Sequence, residues 1–165
     1  MVLHSFTESV FSVMEHWVAI GLGGNIGDVQ SRFKEVRFSL EGFLKQLTMA
    51  PLFQTKPVGC VPGTPDFLNS AVTGLFDGEP MDLLERCQAL EREFGRPATH
   101  SSQESRTLDL DILLFGEELV SLPRLQIPHP RLLQRRFALE PLAAIAPEWR
   151  VPPSMKSVNF FLEKL

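Results

Sequence analysis

The sequence predicts an α+β sandwich, with helices over one or both faces of a mainly antiparallel sheet. Three observations lead there. Hydrophobic periodicity switches in the order strand, helix, strand, strand, helix, strand. Thirteen Pro and eleven Gly are spread along 165 residues, which calls for many short elements with sharp turns and excludes a long-helix bundle. With 44% hydrophobic and 22% charged residues, the chain suits one domain around one sizeable core.

Val18 to Leu22 is a short apolar run entering the stretch GLGGNIGD, read as a buried strand followed by a tight loop. The loop's glycines are expected to supply positive φ, leaving Asn25 to hydrogen-bond a neighbouring loop. Asp28 is placed to cap a helix whose stripe is Val29, Phe33, Val36, Leu40 and Leu44, running to about Gln46. Thr48 to Thr55 reads as extended, and Pro51 demotes it to an edge or bulged strand. Lys56 to Asp66, with five Pro and Gly, is an irregular loop of the kind that carries function.

Phe67 to Phe76 is the third strand, and Asp77-Gly78 turns the chain. Pro80 opens a second helix with stripe Leu83, Leu84, Cys87, Leu90 and Phe94, stopped near Gly95. Residues 96 to 105 form a polar loop without a core anchor, and Thr107 to Phe115 is the strongest strand signal. An irregular stretch closed by Pro128 and Pro130 precedes a helix from Arg131 to Leu139. Ser154 to Leu165 is expected as a last helix.

Several classes of function are excluded. Sixteen basic against twenty acidic side chains make a nucleic-acid backbone an unsuitable partner. No run of eighteen apolar residues spans a membrane, and the N-terminus lacks the basic start of a signal peptide. Cys60 and Cys87 have no CxxC spacing, so both are read as buried thiols suited to a reducing cytoplasm. Gly21 and Gly23 match a dinucleotide fingerprint, but Ile26 stands at its third glycine, and no GKS or GKT follows.

The sharpest chemical feature is Asp109 with Asp111. Strand alternation sends Thr107 and both acids to one face and Leu108, Leu110 and Ile112 to the other. Carboxylates at i and i+2, roughly 6.5–7 Å apart at Cα, can share one hard cation or bridge two. Two solvated acids on an open sheet face would give the same pattern. Arg96, Arg106, His129, Arg131, Arg135 and Arg136 flank or follow the acids, a set that suits phosphate oxygens but also ordinary surface charge. Gln88 and Glu91 border the second helix's buried stripe, where they could face a cleft or solvent. Phe67 and Asn69 share a strand face, a flat platform beside an amide, with Phe137 as a second platform or simply core.

In order, the segments AIGLGGNIGD, FQTKPVG, PDFLNSAV, RTLDLDILLFG and PHPRLLQRRFALEPL resemble the 6-hydroxymethyl-7,8-dihydropterin pyrophosphokinases of folate biosynthesis, from about Val18 to Pro152. The resemblance implies a ferredoxin-like sandwich over residues 18–165, with residues 1–17 as an N-terminal extension, acting as a cytoplasmic monomer. It also implies transfer of pyrophosphate from ATP to the pterin's hydroxymethyl oxygen with release of AMP. Two Mg²⁺ ions would sit on Asp109 and Asp111, with Arg96 and Arg106 as catalytic partners. Gln88, Glu91, Ile112, Arg124, His129 and Arg135 would bind ATP. Thr55, Val58, Phe67, Asn69 and Phe137 would form the pterin pocket, and loops 51–65 and 96–105 would close over the substrates. No general base stands out; Asp109 is the nearest candidate.

The chain departs from the family pattern in three places. Phe53 and Phe67 stand where Tyr is usual, Ala98 and Gln103 stand where a second Arg and a Trp are usual, and the extension is added. The second departure raises an alternative: a binding module of the same fold, holding nucleotide or pterin with weak or no transfer.

Overall fold

The computed structural model describes residues 14–95 and 107–165. The chain runs through β1 (Glu15–Gly24), α1 (Val29–Glu41), β2 (Leu44–Met49), β3 (Phe53–Thr55), β4 (Phe67–Asp77), α2 (Pro80–Glu93) and β5 (Asp109–Phe115). A hairpin of β6 (Val120–Leu122) and β7 (Leu125–Ile127) follows, then a 3-10 turn at Leu132–Gln134 and α3 (Arg136–Ile145). The chain ends with the short pair β8 (Arg150–Val151) and β9 (Lys156–Ser157) and with α4 (Val158–Glu163). The main sheet has the order β2-β4-β1-β5, with β3 beyond β2 along the same edge of β4, and every pairing is antiparallel. This is the ferredoxin-like arrangement, in which α1 and α2 make the crossovers.

Helices cover both faces. Val18, Ile20 and Leu22 point to one side and pack with Phe33, Val36 and Leu40 of α1 and with Leu83 and Cys87 of α2. On the other side Ala19, Ala71 and Leu113 pack beneath Leu139 and Leu142 of α3. Against β1, the register of β5 shifts between Ala19 and Ile20, so Leu113 is an extra residue. That bulge lets neighbouring Leu113 and Leu114 serve the same core, where plain alternation would send them to opposite faces.

Most local expectations hold. Asp28 caps α1, its carboxylate accepting from the Ser31 N–H at 3.1 Å and the Ser31 hydroxyl at 2.8 Å. Those bonds lower its pKa. Pro80 opens α2, and Asp82 Oδ2 accepts from the Glu79 N–H at 2.8 Å. β2 and β3 form a broken edge around Pro51, with a register shift between Lys45 and Thr48.

Five details differ from expectation. α1 stops at Glu41, and Leu44 opens β2; its side chain enters the same core the helix faces, so periodicity could not separate the two. The Arg131–Leu139 helix is instead a 3-10 turn followed by α3, which continues through Pro141. Only Val158–Glu163 of the last segment is helical, behind the β8–β9 pair. Glu15, His16 and Trp17, assigned to the extension, belong to β1, where Trp17 meets Trp149 edge-on at 5.9 Å. Cys87 is buried, whereas Cys60 is only partly covered.

Candidate active site

The acids, the amide and the glycines are brought together by strand register. Asn69 of β4 pairs with Gly23 of β1, and Gly23 pairs with Asp109 of β5. One step along, Ala71, Gly21 and Asp111 line up in the same way. Two strand spacings therefore separate the amide-bearing and acid-bearing backbones, roughly 10 Å. Between them the central strand presents no side chain. A cavity of about 520 Å³ opens over this floor, walled on the far side by the residues that lead into α3.

The glycines were expected to make a turn with positive φ. Gly21, Gly23 and Gly24 are instead extended residues of β1, and within this stretch only Gly27 has positive φ, at 71°. Gly at alternate strand positions leaves one face bare, a signal that the sequence does carry.

All five residues expected to hold a ring line the cavity: Thr55, Val58, Phe67, Asn69 and Phe137. Asn69 is 5% exposed and donates from Nδ2 to Thr55 Oγ1 at 2.8 Å. Its Oδ1 faces Gly23, where an added Cβ would stand 3.4 Å away. Val58 and Phe137 are exposed rim residues. The loop carrying Val58 is tied down where Asn25 Nδ2 donates to the Pro65 carbonyl at 3.1 Å, as expected of Asn25.

Across the floor, Asp109, Asp111 and Arg135 line the same cavity. Arg135 Nη1 lies 3.9 Å from Asp111 Oδ2, and its guanidinium carbon is 5.3 Å from the centre of the Phe137 ring. His129 is fastened beside this wall, its N–H donating to the Leu113 carbonyl at 3.0 Å. Its Nδ1 accepts from the Arg131 N–H at 3.1 Å, so the neutral ring carries its proton on Nε2. Burial first, then the Arg135 and Arg131 charges, push its pKa down to about 4, against an opposing pull from Asp109.

Five expected nucleotide contacts, His129 among them, are not on the cavity wall. Gln88 accepts from Arg124 Nη2 at 3.2 Å, a contact between α2 and the β6–β7 turn. Glu91 is buried, and its Oε1 accepts from the Leu110 N–H at 2.9 Å. The Ile112 side chain is committed to the core under α1 and α2. Arg96, Arg106, Ala98 and Gln103 lie outside the described residues, as does loop 96–105.

Lys56, Cys60 and Gln134 also line the cavity, together with Arg131 and Arg136 from the wider arginine set. Lys56 and Cys60 sit in the loop singled out for function, but nothing in their spacing marks them individually. Among the described residues, no group of three or more His, Cys, Asp and Glu side chains converges as a metal site. Two carboxylates on a cavity wall suit a hard dication that takes its other oxygens from phosphate and water, so the donor set fits Mg²⁺.

Fold and cavity define a ferredoxin-like domain whose cavity lies between an amide-bearing strand and a wall of carboxylate and guanidinium. The sequence matches the family 7,8-dihydro-6-hydroxymethylpterin-pyrophosphokinase (HPPK) over residues 19–147. The chain belongs to that family. Two relatives are each named 2-amino-4-hydroxy-6-hydroxymethyldihydropteridine pyrophosphokinase. The one from Synechocystis is 34% identical over 159 residues, covering 91% of this chain and 76% of the relative. The one from Pseudomonas aeruginosa is 37% identical over 140 residues, covering 82% and 83%. A Plasmodium falciparum HPPK-DHPS crystal structure with pteroate shares the fold at a TM-score of 0.72 and 14% identity, over 93% of this chain. This chain spans 44% of that longer chain.

Proposed function

We propose that this chain transfers the pyrophosphoryl group of ATP to 6-hydroxymethyl-7,8-dihydropterin, the folate-biosynthesis reaction for which its family is named. The observation that carries the reading is the row Asn69, Gly23, Asp109, which sets a ring-reading amide and an acid on either side of a bare strand. The hydroxymethyl oxygen attacks the β-phosphorus, the bond from that phosphorus to the α,β-bridging oxygen breaks, and AMP leaves with the bridging oxygen. Asp109 is the nearest acceptor for the hydroxymethyl proton.

Phe67 and Phe137 hold the ring, and Asn69 with Thr55 reads its edge. Asp109 and Asp111 hold Mg²⁺, two ions by family resemblance; when bound, the metal neutralises triphosphate charge and orients its oxygens. Arg135 is placed to exchange its contact with Asp111 for a phosphate oxygen, and neutral His129 donates from Nε2. Arg96 and Arg106 complete the phosphate grip, while Gln88 and Arg124 meet the nucleotide from the far side. The working unit in this reading is a monomer. A cytoplasmic site suits the two substrates, and no helix among the described residues is long and apolar enough to cross a membrane. Nothing observed favours the binding-only alternative.

The test is AMP release from ATP, Mg²⁺ and 6-hydroxymethyl-7,8-dihydropterin. Asp111→Asn should fold normally and lower kcat by roughly 10²–10³. An unchanged kcat in that variant, or wild-type protein that forms no AMP, overturns the proposal.

A further inference from the structure

β5 is the last strand of the main sheet, so one side of its backbone has no neighbouring strand. Two candidate site residues close that edge. The His129 N–H donates to the Leu113 carbonyl at 3.0 Å, and Glu91 Oε1 accepts from the Leu110 N–H at 2.9 Å. Leu110 is the single residue between Asp109 and Asp111, and Glu91 reaches it from α2 with only 8% of its surface exposed. A buried carboxylate is costly unless hydrogen-bonded, and a charge-assisted bond to a backbone N–H is stronger than a neutral one. An edge strand is free to twist, and any rotation of the Leu110 peptide turns both flanking side chains.

We propose that Glu91 is a positioning residue for the Asp109–Asp111 pair: by holding the amide between them, it fixes the angle and spacing at which the two carboxylates enter the cavity. The inference rests on the reading of those acids as metal ligands. It differs from the family expectation for Glu91, since the carboxylate acts on β5 and not on the nucleotide. Acceptor capacity at residue 91 is the essential property, and Gln supplies it through its amide oxygen.

The experiment compares wild type, Glu91→Gln and Glu91→Leu by two measurements independent of turnover. Hydrogen exchange reads the Leu110 amide, and electron paramagnetic resonance reads Mn²⁺ binding in the presence of α,β-methylene-ATP. Glu91→Gln should keep the Leu110 amide protected and bind Mn²⁺ as wild type does. Glu91→Leu should lose that protection and weaken Mn²⁺ binding about ten- to hundredfold, the range for outer partners of metal ligands. The proposal is overturned if the Leu variant exposes Leu110 yet binds Mn²⁺ normally. It is equally overturned if the Gln variant protects Leu110 but binds Mn²⁺ poorly, a comparison that holds even where the Leu variant does not fold. Wild type that binds no Mn²⁺ with the nucleotide would instead remove the metal reading beneath it.

Discussion

His129 shows how one side chain links site and stability. Its folded pKa of about 4 lies below the reference value of 6.5, so between those limits the unfolded chain binds more protons than the folded one. Stability therefore rises with pH across that window, and the contribution of the neutral ring is lost as pH falls from 6.5 towards 4. Urea unfolding of the ligand-free protein should show a smaller loss between pH 7 and pH 5 for His129→Gln than for wild type; equal losses would contradict the burial described. Thr55 and Val58 came from the family resemblance alone, whereas at this scale the shared faces of Asp109 with Asp111 and of Phe67 with Asn69 were legible, because alternation on a strand assigns faces without any knowledge of neighbours. Glu91 was not, since its partner is a backbone N–H nineteen residues away, and sequence spacing carries no record of a free sheet edge. Cys60 was misread for a related reason: its exposure depends on where an irregular loop lies.

Strand β1 joins the two halves of the site by what it lacks. At Gly23 a Cβ is tolerable, 3.4 Å from Asn69 Oδ1, but a branched side chain would extend into the space the ring needs. Gly23→Val should keep or raise the melting temperature, as a β-branched residue does in a strand, while pterin affinity measured by calorimetry falls about tenfold or more. Undiminished affinity would place the ring elsewhere. The elements themselves were legible where caps and periodicity agree, as with Asp28 before α1 and Pro80 in α2. They were missed where a short segment depends on distant packing. Val120 to Leu122 and Leu125 to Ile127 each alternate, but two three-residue strands fall below the length at which pattern alone is persuasive. In α3 the helix continues past Leu139 through Pro141, a residue that lacks the N–H donor of a regular helical turn.

For the molecule as a whole, the order of elements was enough to suggest the layered class, because periods of 2 and 3.6 tell strands from helices even where a boundary blurs, as at Leu44. Which face each helix covers was left open, and tertiary contact decides it: α1 and α2 take one face, while α3 roofs the side that bears the cavity. Leu139 is fully buried beneath that roof. Leu139→Ala should lower unfolding free energy in urea by about 2–5 kcal/mol. A cost well below 1 kcal/mol would show that α3 is not packed as a structural layer, and that the cavity wall leading into it is not held by the core.

The bond from Asn69 to Thr55 fixes how the amide is turned. One N–H is spent on that hydroxyl, which leaves the second N–H beside the oxygen, so a heterocycle in the lactam tautomer, with a ring N–H next to a C=O, matches both. An O-methylated or lactim-locked analogue would set one lone pair against another, and discrimination of this kind follows from a single orientation held in place by a hydroxyl on the neighbouring strand.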